Sequence, residues 1–153
     1  MQRQREILVA EDDPHIAAAL CAILCDVGHR VVRVVDTAEA AIRVAAERRL
    51  DLAIVDVWLA NGSNGLAAVE HLMMRHGVPA VVCSAHSRAE EAYAAGAVAF
   101  LEKPFRVADL ERALATALHQ PVWAAARREA VTPAAAPGTW RTTARRAPAG
   151  RRG

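Results

Sequence analysis

The chain has 153 residues, 54% of them hydrophobic and 4% aromatic, with 19 basic and 17 acidic side chains for a formal charge of +2. That length suits one domain around a single core of Ala, Val, Leu and Ile, and no apolar run is long enough to cross a membrane. The small total charge hides a division: residues 1–120 hold 12 basic and 16 acidic side chains, whereas residues 121–153 hold seven Arg and one Glu. An acidic domain over 1–120 is therefore expected, followed by a disordered Ala/Pro/Arg-rich basic tail over 121–153, which has too few large apolar side chains to bury. The opening Met-Gln-Arg-Gln-Arg-Glu does not read as a secretory leader, so the expected compartment is the cytoplasm. Cys21, Cys25 and Cys83 form no metal or redox pattern and are expected to be buried, reduced thiols.

In chain order, Ile7 to Ala10 is a short apolar run ending in acids, a buried strand. Pro14 suits the first turn of a helix whose apolar face is Ile16, Leu20, Ile23, Leu24 and Val27, up to Gly28. Val31 to Val35 is a second strand, and Thr37 caps a helix through Ala41, Ile42 and Ala45. Leu52 to Val55 is a third strand ending at Asp56, with a loop over Gly62 to Gly65 and a helix over Leu66 to His76. Ala80 to Cys83 is a fourth strand, followed by a short helix from about Arg88 to Ala95. Val98 to Leu101 is a fifth strand, and Val107 to His119 a last helix with Leu110, Leu114 and Leu118 on one face. Strands that are apolar throughout and alternate with helices predict an α/β, doubly wound, five-stranded parallel sheet covered on both faces. Ligands of such sheets bind beyond the carboxyl ends of the strands.

At those ends stand Glu11, Asp12 and Asp13 after the first strand, Asp56 after the third, Ser84 after the fourth and Lys103 after the fifth. Carboxylates converging from neighbouring strands repel one another unless a cation intervenes. Oxygen-only ligands favour Mg²⁺, with Mn²⁺ the acceptable substitute, over zinc. Lys103 is the one lysine among the 19 basic residues. A compact ammonium kept where arginine is otherwise the rule implies a role the planar guanidinium cannot fill. Three acids around a metal, with a hydroxyl and an ammonium beside them, suit a phosphoryl group.

Four segments, Ile7-Leu-Val-Ala-Glu-Asp-Asp-Pro14, Asp51-Leu-Ala-Ile-Val-Asp-Val-Trp-Leu59, Val81-Val-Cys-Ser-Ala85 and Gly96-Ala-Val-Ala-Phe-Leu-Glu-Lys-Pro-Phe105, come in order at the strand ends. Together they make residues 5–119 resemble a receiver domain of two-component response regulators, of the stand-alone, chemotaxis-regulator-like kind. The resemblance implies a flavodoxin-like sheet of order 2-1-3-4-5 with five helices. It makes Asp56 the phosphoacceptor, and Glu11, Asp12, Asp56 and the Trp58 backbone carbonyl the metal site. Ser84 and Lys103 would bind the phosphoryl group, Ser84 as the switch hydroxyl and Phe100 as the aromatic that turns with it. Asp12 with Asp13 remains the alternative acidic pair. The implied partners are a sensor histidine kinase or phosphotransfer protein, a downstream protein at the face of the fourth helix, fifth strand and fifth helix, and a second copy if the phosphorylated form dimerises. The domain would be no enzyme beyond self-phosphorylation and slow autodephosphorylation.

Three features depart from the family pattern. The loop from Asp56 to Gly65 lacks the usual proline and is about one residue longer than the family pattern, and the stretch from Ser84 to Lys103 is a few residues shorter, which is expected to trim the fourth helix. Trp58 stands two residues beyond the phosphoacceptor, where a bulky indole beside His86 could keep water from an acyl phosphate. The same indole occupies the place where an aspartyl-nucleophile phosphatase wants a second acid, which discounts that reading. His15, His29, His71, His76 and His119 scatter over helix ends and loops and are not read as catalytic. Two rival readings remain: a scaffold without phosphoryl chemistry, and a regulator gripping DNA through Arg127, Arg128, Arg145, Arg146, Arg151 and Arg152 with Trp123 and Trp140. Seven phosphate contacts would give a salt slope of about −6, but a solvated linker is the simpler reading of the tail. A further option is that the tail folds back on the acidic domain.

Overall fold

Side chains alternate across a strand, so successive residues of an apolar strand feed opposite faces of the sheet. In β1 (Glu6–Ala10), Ile7 and Val9 face one core and Leu8 and Ala10 the other. The same division recurs in β3 (Leu52–Val55), with Leu52 and Ile54 against Ala53 and Val55, and in β4 (Ala80–Ser84), with Val81 and Cys83 against Ala80 and Val82. The first face is covered by α1 (Pro14–Asp26) and α5 (Val107–Leu118) through Leu20, Leu24, Leu110 and Leu114. The second is covered by α2 (Ala38–Glu47), α3 (Gly65–His76) and α4 (Ala89–Ala94) through Ala41, Val44, Val69, Leu72 and Ala92. With β2 (Arg30–Val35) and β5 (Ala99–Glu102) at the edges, this computed structural model has one five-stranded parallel sheet of order β2-β1-β3-β4-β5. It is the doubly wound sheet and strand order that the sequence predicts. The structure describes residues 3–119, and the basic tail expected over 121–153 lies outside them.

Caps follow the sequence closely. Pro14 opens α1 with its ring where no N–H is needed, and the Asp13 carboxylate accepts from the His15 and Ile16 N–H groups at 2.8 and 3.2 Å. Thr37 caps α2 through Ala40 N–H at 3.2 Å, and Asn64 caps α3 through Leu66 N–H at 2.9 Å. Gly77 closes α3 with φ 59°, in the left-handed region glycine adopts without penalty.

Several expectations need correction. Only Cys83 of the three cysteines is buried; Cys21 is partly covered and Cys25 exposed, because position 25 of α1 points off the sheet. Burial in the apolar core pushes the Cys83 thiol up to about 12. β2 is not apolar throughout: Arg30 and Arg33 are exposed, as an edge strand permits. A 3-10 turn over Ala60–Gly62 divides the loop after β3, and α4 is a six-residue helix, in line with the trimming expected there. Among the described residues, no helix is long and apolar enough to cross a membrane.

Candidate functional site

The carboxyl ends of β1, β3, β4 and β5 meet at one place. Main-chain pairing runs past the formal strand ends and fixes the acids there: Glu11 N–H donates to Val35 O and Asp56 N–H to Ala10 O, each at 2.9 Å. Lys103 N–H donates to Ser84 O at 3.0 Å, which anchors the lysine beside the buried serine. From there its ammonium crosses to both acids, 2.6 Å from Glu11 Oε2 and 2.9 Å from Asp56 Oδ2. Glu11 and Asp56 are 4% and 9% exposed, so these are charge-assisted bonds in a dry setting. The Lys103–Pro104 peptide is cis.

Asp12 completes the cluster. Its carboxylate, that of Glu11 and that of Asp56 each offer an oxygen within 4.8 Å of the others. Asp13 takes another course: its carboxylate is held by the start of α1, where the Ile16 and His15 N–H groups keep it below the ordinary carboxylate range. Burial pushes the Glu11 carboxyl up, against the opposing pull of Lys103 and of the Asp13 N–H. Burial alone would draw the Lys103 ammonium down, but its bonds to Glu11 and Asp56 outweigh that and leave it above its ordinary value. Three carboxylates face one ammonium, a net negative charge that a hard divalent cation would offset. The donor set is all oxygen, which fits Mg²⁺. The main chain of Trp58 reaches the same carboxylate, its N–H donating to Asp56 Oδ1 at 3.3 Å.

The loop that carries Trp58 is braced from two sides. Trp58 and Asn64 form an antiparallel bridge flanked by Leu59 N–H to Ser63 O (3.1 Å) and Gly65 N–H to Val57 O (2.8 Å). Within the loop the backbone of Asn61 takes a left-handed conformation, with φ 59°. The Ser63 hydroxyl accepts from Ala38 N–H at 2.7 Å and donates to Glu39 at 2.9 Å, tying the loop to the first turn of α2. Gly65 lies against the main chain of Asp56: a Cβ there would stand 1.8 Å from the Asp56 carbonyl oxygen. Sequence reasoning missed Ser63, Gly65 and the Lys103–Glu11 bond. A glycine at the first position of a helix, where glycine is a poor choice, is the one local signal that could have drawn notice.

The remaining expected residues fall as follows. Ser84 is fully buried, its hydroxyl accepting from His86 N–H at 3.4 Å. Phe100 is half-buried on β5, opposite Val82 of β4, and is packed on the second core. The Trp58 indole is 62% exposed, and it makes no ring contact with His86; the recorded aromatic pair among the described residues is His71 with His76.

Comparison with known proteins matches residues 7–115 to the family model described as the response regulator receiver domain. The chain is 37% identical over 121 residues to the phyllosphere-induced regulator PhyR of Methylorubrum extorquens, a match covering 74% of this chain and 43% of PhyR. It is 37% identical over 120 residues to the nitrogen assimilation regulatory protein NtrX of Azorhizobium caulinodans, covering 72% of this chain and 26% of NtrX. The chain thus spans less than half the length of either relative. Among solved structures it is similar to the receiver domain of a sensor histidine kinase from Pseudomonas aeruginosa PAO1, which has a magnesium ion coordinated in its active site cleft. That likeness has a TM-score of 0.69 and 28% identity, and covers 77% of this chain and all of the other.

Proposed function

Because the chain belongs to the response regulator receiver domain family of two-component signalling, we propose that it accepts a phosphoryl group on Asp56 and relays its phosphorylation state to a partner protein. The observation that carries this reading is the reach of Lys103 across to Glu11 and Asp56, with Asp12 beside them. Glu11, Asp12, Asp56 and the Trp58 carbonyl would hold Mg²⁺, or Mn²⁺ in its place. When bound, the cation would offset the repulsion between the Asp56 carboxylate and an anionic donor. The capping of α1 by Asp13 supports Glu11 with Asp12, rather than Asp12 with Asp13, as the acidic pair.

An Asp56 carboxylate oxygen attacks the phosphorus of a phosphohistidine on a sensor kinase or phosphotransfer protein. The new O–P bond replaces the P–N bond, and the imidazole leaves and takes up a proton. Lys103, already bonded to Asp56, can pass to a phosphoryl oxygen, and the buried Ser84 hydroxyl can donate to another. Drawing in Ser84 frees space beside β4 into which Phe100 turns, altering the α4–β5–α5 face offered to the downstream protein or a second copy. The cycle involves no turnover of a substrate beyond phosphoryl gain and slow hydrolysis, and it is placed in the cytoplasm.

The test is intact mass after incubation with acetyl phosphate and Mg²⁺, beside a chelator control and Asp56→Asn. One added phosphoryl group, absent from both controls, supports the reading. Failure to gain it from acetyl phosphate and from a phosphorylated kinase alike would leave the scaffold reading.

A further inference from the structure

The loop after β3 is anchored at two ends. At one, Trp58 N–H donates to Asp56 Oδ1 at 3.3 Å, so the Trp58 main chain stands at a carboxylate of the proposed cation site. At the other, the buried Ser63 bonds to α2: its hydroxyl accepts from Ala38 N–H at 2.7 Å and donates to Glu39 Oε2 at 2.9 Å. Ala60 N–H adds a bond to Asp36 O at 2.8 Å, just ahead of the same helix. Between the two ends the loop is closely tied. Leu59 N–H to Ser63 O, Gly65 N–H to Val57 O and the Trp58–Asn64 bridge join its arms, and Ser63 N–H to Ala60 O at 3.1 Å closes the turn. Val57 and Leu59 belong to the same buried core as Ala38 and Ala41 of α2. A displacement at Ser63 is therefore carried to Trp58 rather than absorbed on the way.

Ser63 is not the local cap of α2. Thr37 fills that place, its hydroxyl accepting from Ala40 N–H at 3.2 Å. The first N–H groups of a helix have no partner within it, and that of Ala38 is taken by a serine 25 residues further along the chain. A hydroxyl has one proton to give and two lone pairs to accept with. Because Glu39 takes the Ser63 proton, the lone pairs are left to the Ala38 N–H and the direction of the hydroxyl is fixed. The helix start is thus a fixed point to which the loop is fastened.

We propose that Ser63, its hydroxyl oriented by Glu39, is a positioning residue for the divalent cation: it holds the Trp58 main chain against Asp56 and so sets the affinity for Mg²⁺. The inference rests on the reading of Glu11, Asp12, Asp56 and Trp58 as the cation site. Ser63 is placed to touch neither the cation nor a phosphoryl group and acts through the loop. Groups that orient a metal's ligands without touching the metal govern its affinity in this way.

The experiment titrates the unphosphorylated full chain with Mg²⁺ and follows the amide NMR resonances of Trp58 and Gly65, which gives a Kd without any phosphoryl transfer. Ser63→Ala should weaken Mg²⁺ binding about tenfold, the lower end of the loss expected when such a supporting group is removed. Thr37→Ala takes away the other cap of α2 without touching the loop, and should leave the Kd within about twofold of the unaltered chain. Glu39→Ala should weaken binding about threefold, a fraction of one hydrogen bond, whereas Glu39→Gln keeps an acceptor for the Ser63 hydroxyl and should restore most of it. An unchanged Kd in Ser63→Ala overturns the proposal and leaves the phosphoacceptor reading of Asp56 standing. Equal losses in Ser63→Ala and Thr37→Ala also overturn it, because the cation would then sense the stability of α2 as a whole. Equal losses in Glu39→Gln and Glu39→Ala would mean that the charge of Glu39 acts, and its orienting role falls. If Mg²⁺ moves neither resonance in the unaltered chain, the cation site itself is wrong and the proposal falls with it.

Discussion

At the amino ends of the strands, Arg5 lies 3.8 Å from Asp51, Arg30 lies 3.4 Å from Glu6, and the Glu6 N–H donates to Asp51 at 2.8 Å. Each charge there meets its opposite one to one, Arg30 with Glu6 at an open surface and Arg5, about a third exposed, over a largely covered Asp51, and pairs that solvent reaches contribute little to stability. At the carboxyl ends of the same sheet, three carboxylates meet one ammonium, and the glutamate and aspartate it bridges are almost wholly buried. Burial makes an uncompensated charge costly, and Glu11 with Asp56 carries one charge more than Lys103 offsets, beside an exposed Asp12, an excess that a cation would relieve. What separates a functional cluster from a structural one is this imbalance under burial rather than the number of ionisable groups.

Gly65→Ala should have the largest effect on stability, since the new Cβ would meet the Asp56 carbonyl at 1.8 Å. A loss of about 3 kcal/mol is expected, the upper part of the range for overpacking. Phosphoryl gain from acetyl phosphate should fall with it, and urea unfolding beside intact mass reads both; an unshifted urea midpoint would show that the backbone yields freely there. Lys103→Met removes the one counter-charge of the buried acids. It should cost about 2 kcal/mol, less than the 3–5 kcal/mol typical of a broken buried pair because Glu11 can take up a proton. Mg²⁺ should restore part of that loss. Arg5→Met, its counterpart at the other end, should cost under about 0.5 kcal/mol and leave phosphoryl gain unchanged. Equal losses for the two variants would erase the contrast between the ends.

Ser63→Ala is a finer probe, because it leaves the Ala38 N–H without its acceptor and frees the loop from α2. About 1 kcal/mol is expected, read from thermal unfolding. Trp58→Asn should matter least. With the indole 62% exposed, the lifetime of an aspartyl phosphate should change by no more than about threefold, a surface-scale effect. A much longer or shorter lifetime, followed by the decay of the added mass, would mean that the indole closes over the site once it is phosphorylated.

Much of the fold and of the site is legible in the residues alone. The runs Ile7 to Ala10, Leu52 to Val55 and Ala80 to Cys83 are apolar at every position, so they had to be covered on both faces, and the acids, serine and lysine that follow them had to lie at one edge. Pro14 and Thr37 mark helix starts because their effects are local, reaching only three or four residues. The same locality explains why the charge division near residue 120 is plain, since it is a matter of composition.

The sequence by itself therefore determined the parallel sheet and the set of groups at its carboxyl end, while the strand order came from the family resemblance. Only the tertiary structure decided how those groups are shared out. Three adjacent acids are equivalent on paper, yet Glu11 turns inward to Lys103, 92 residues away, while Asp13 turns to the first turn of α1. Which acid goes where depends on the direction each side chain leaves the strand end and on which donor lies in reach. Gly65 against Asp56 and Ser63 against α2 are likewise contacts between segments distant in space until the chain folds, and no periodicity or spacing encodes them.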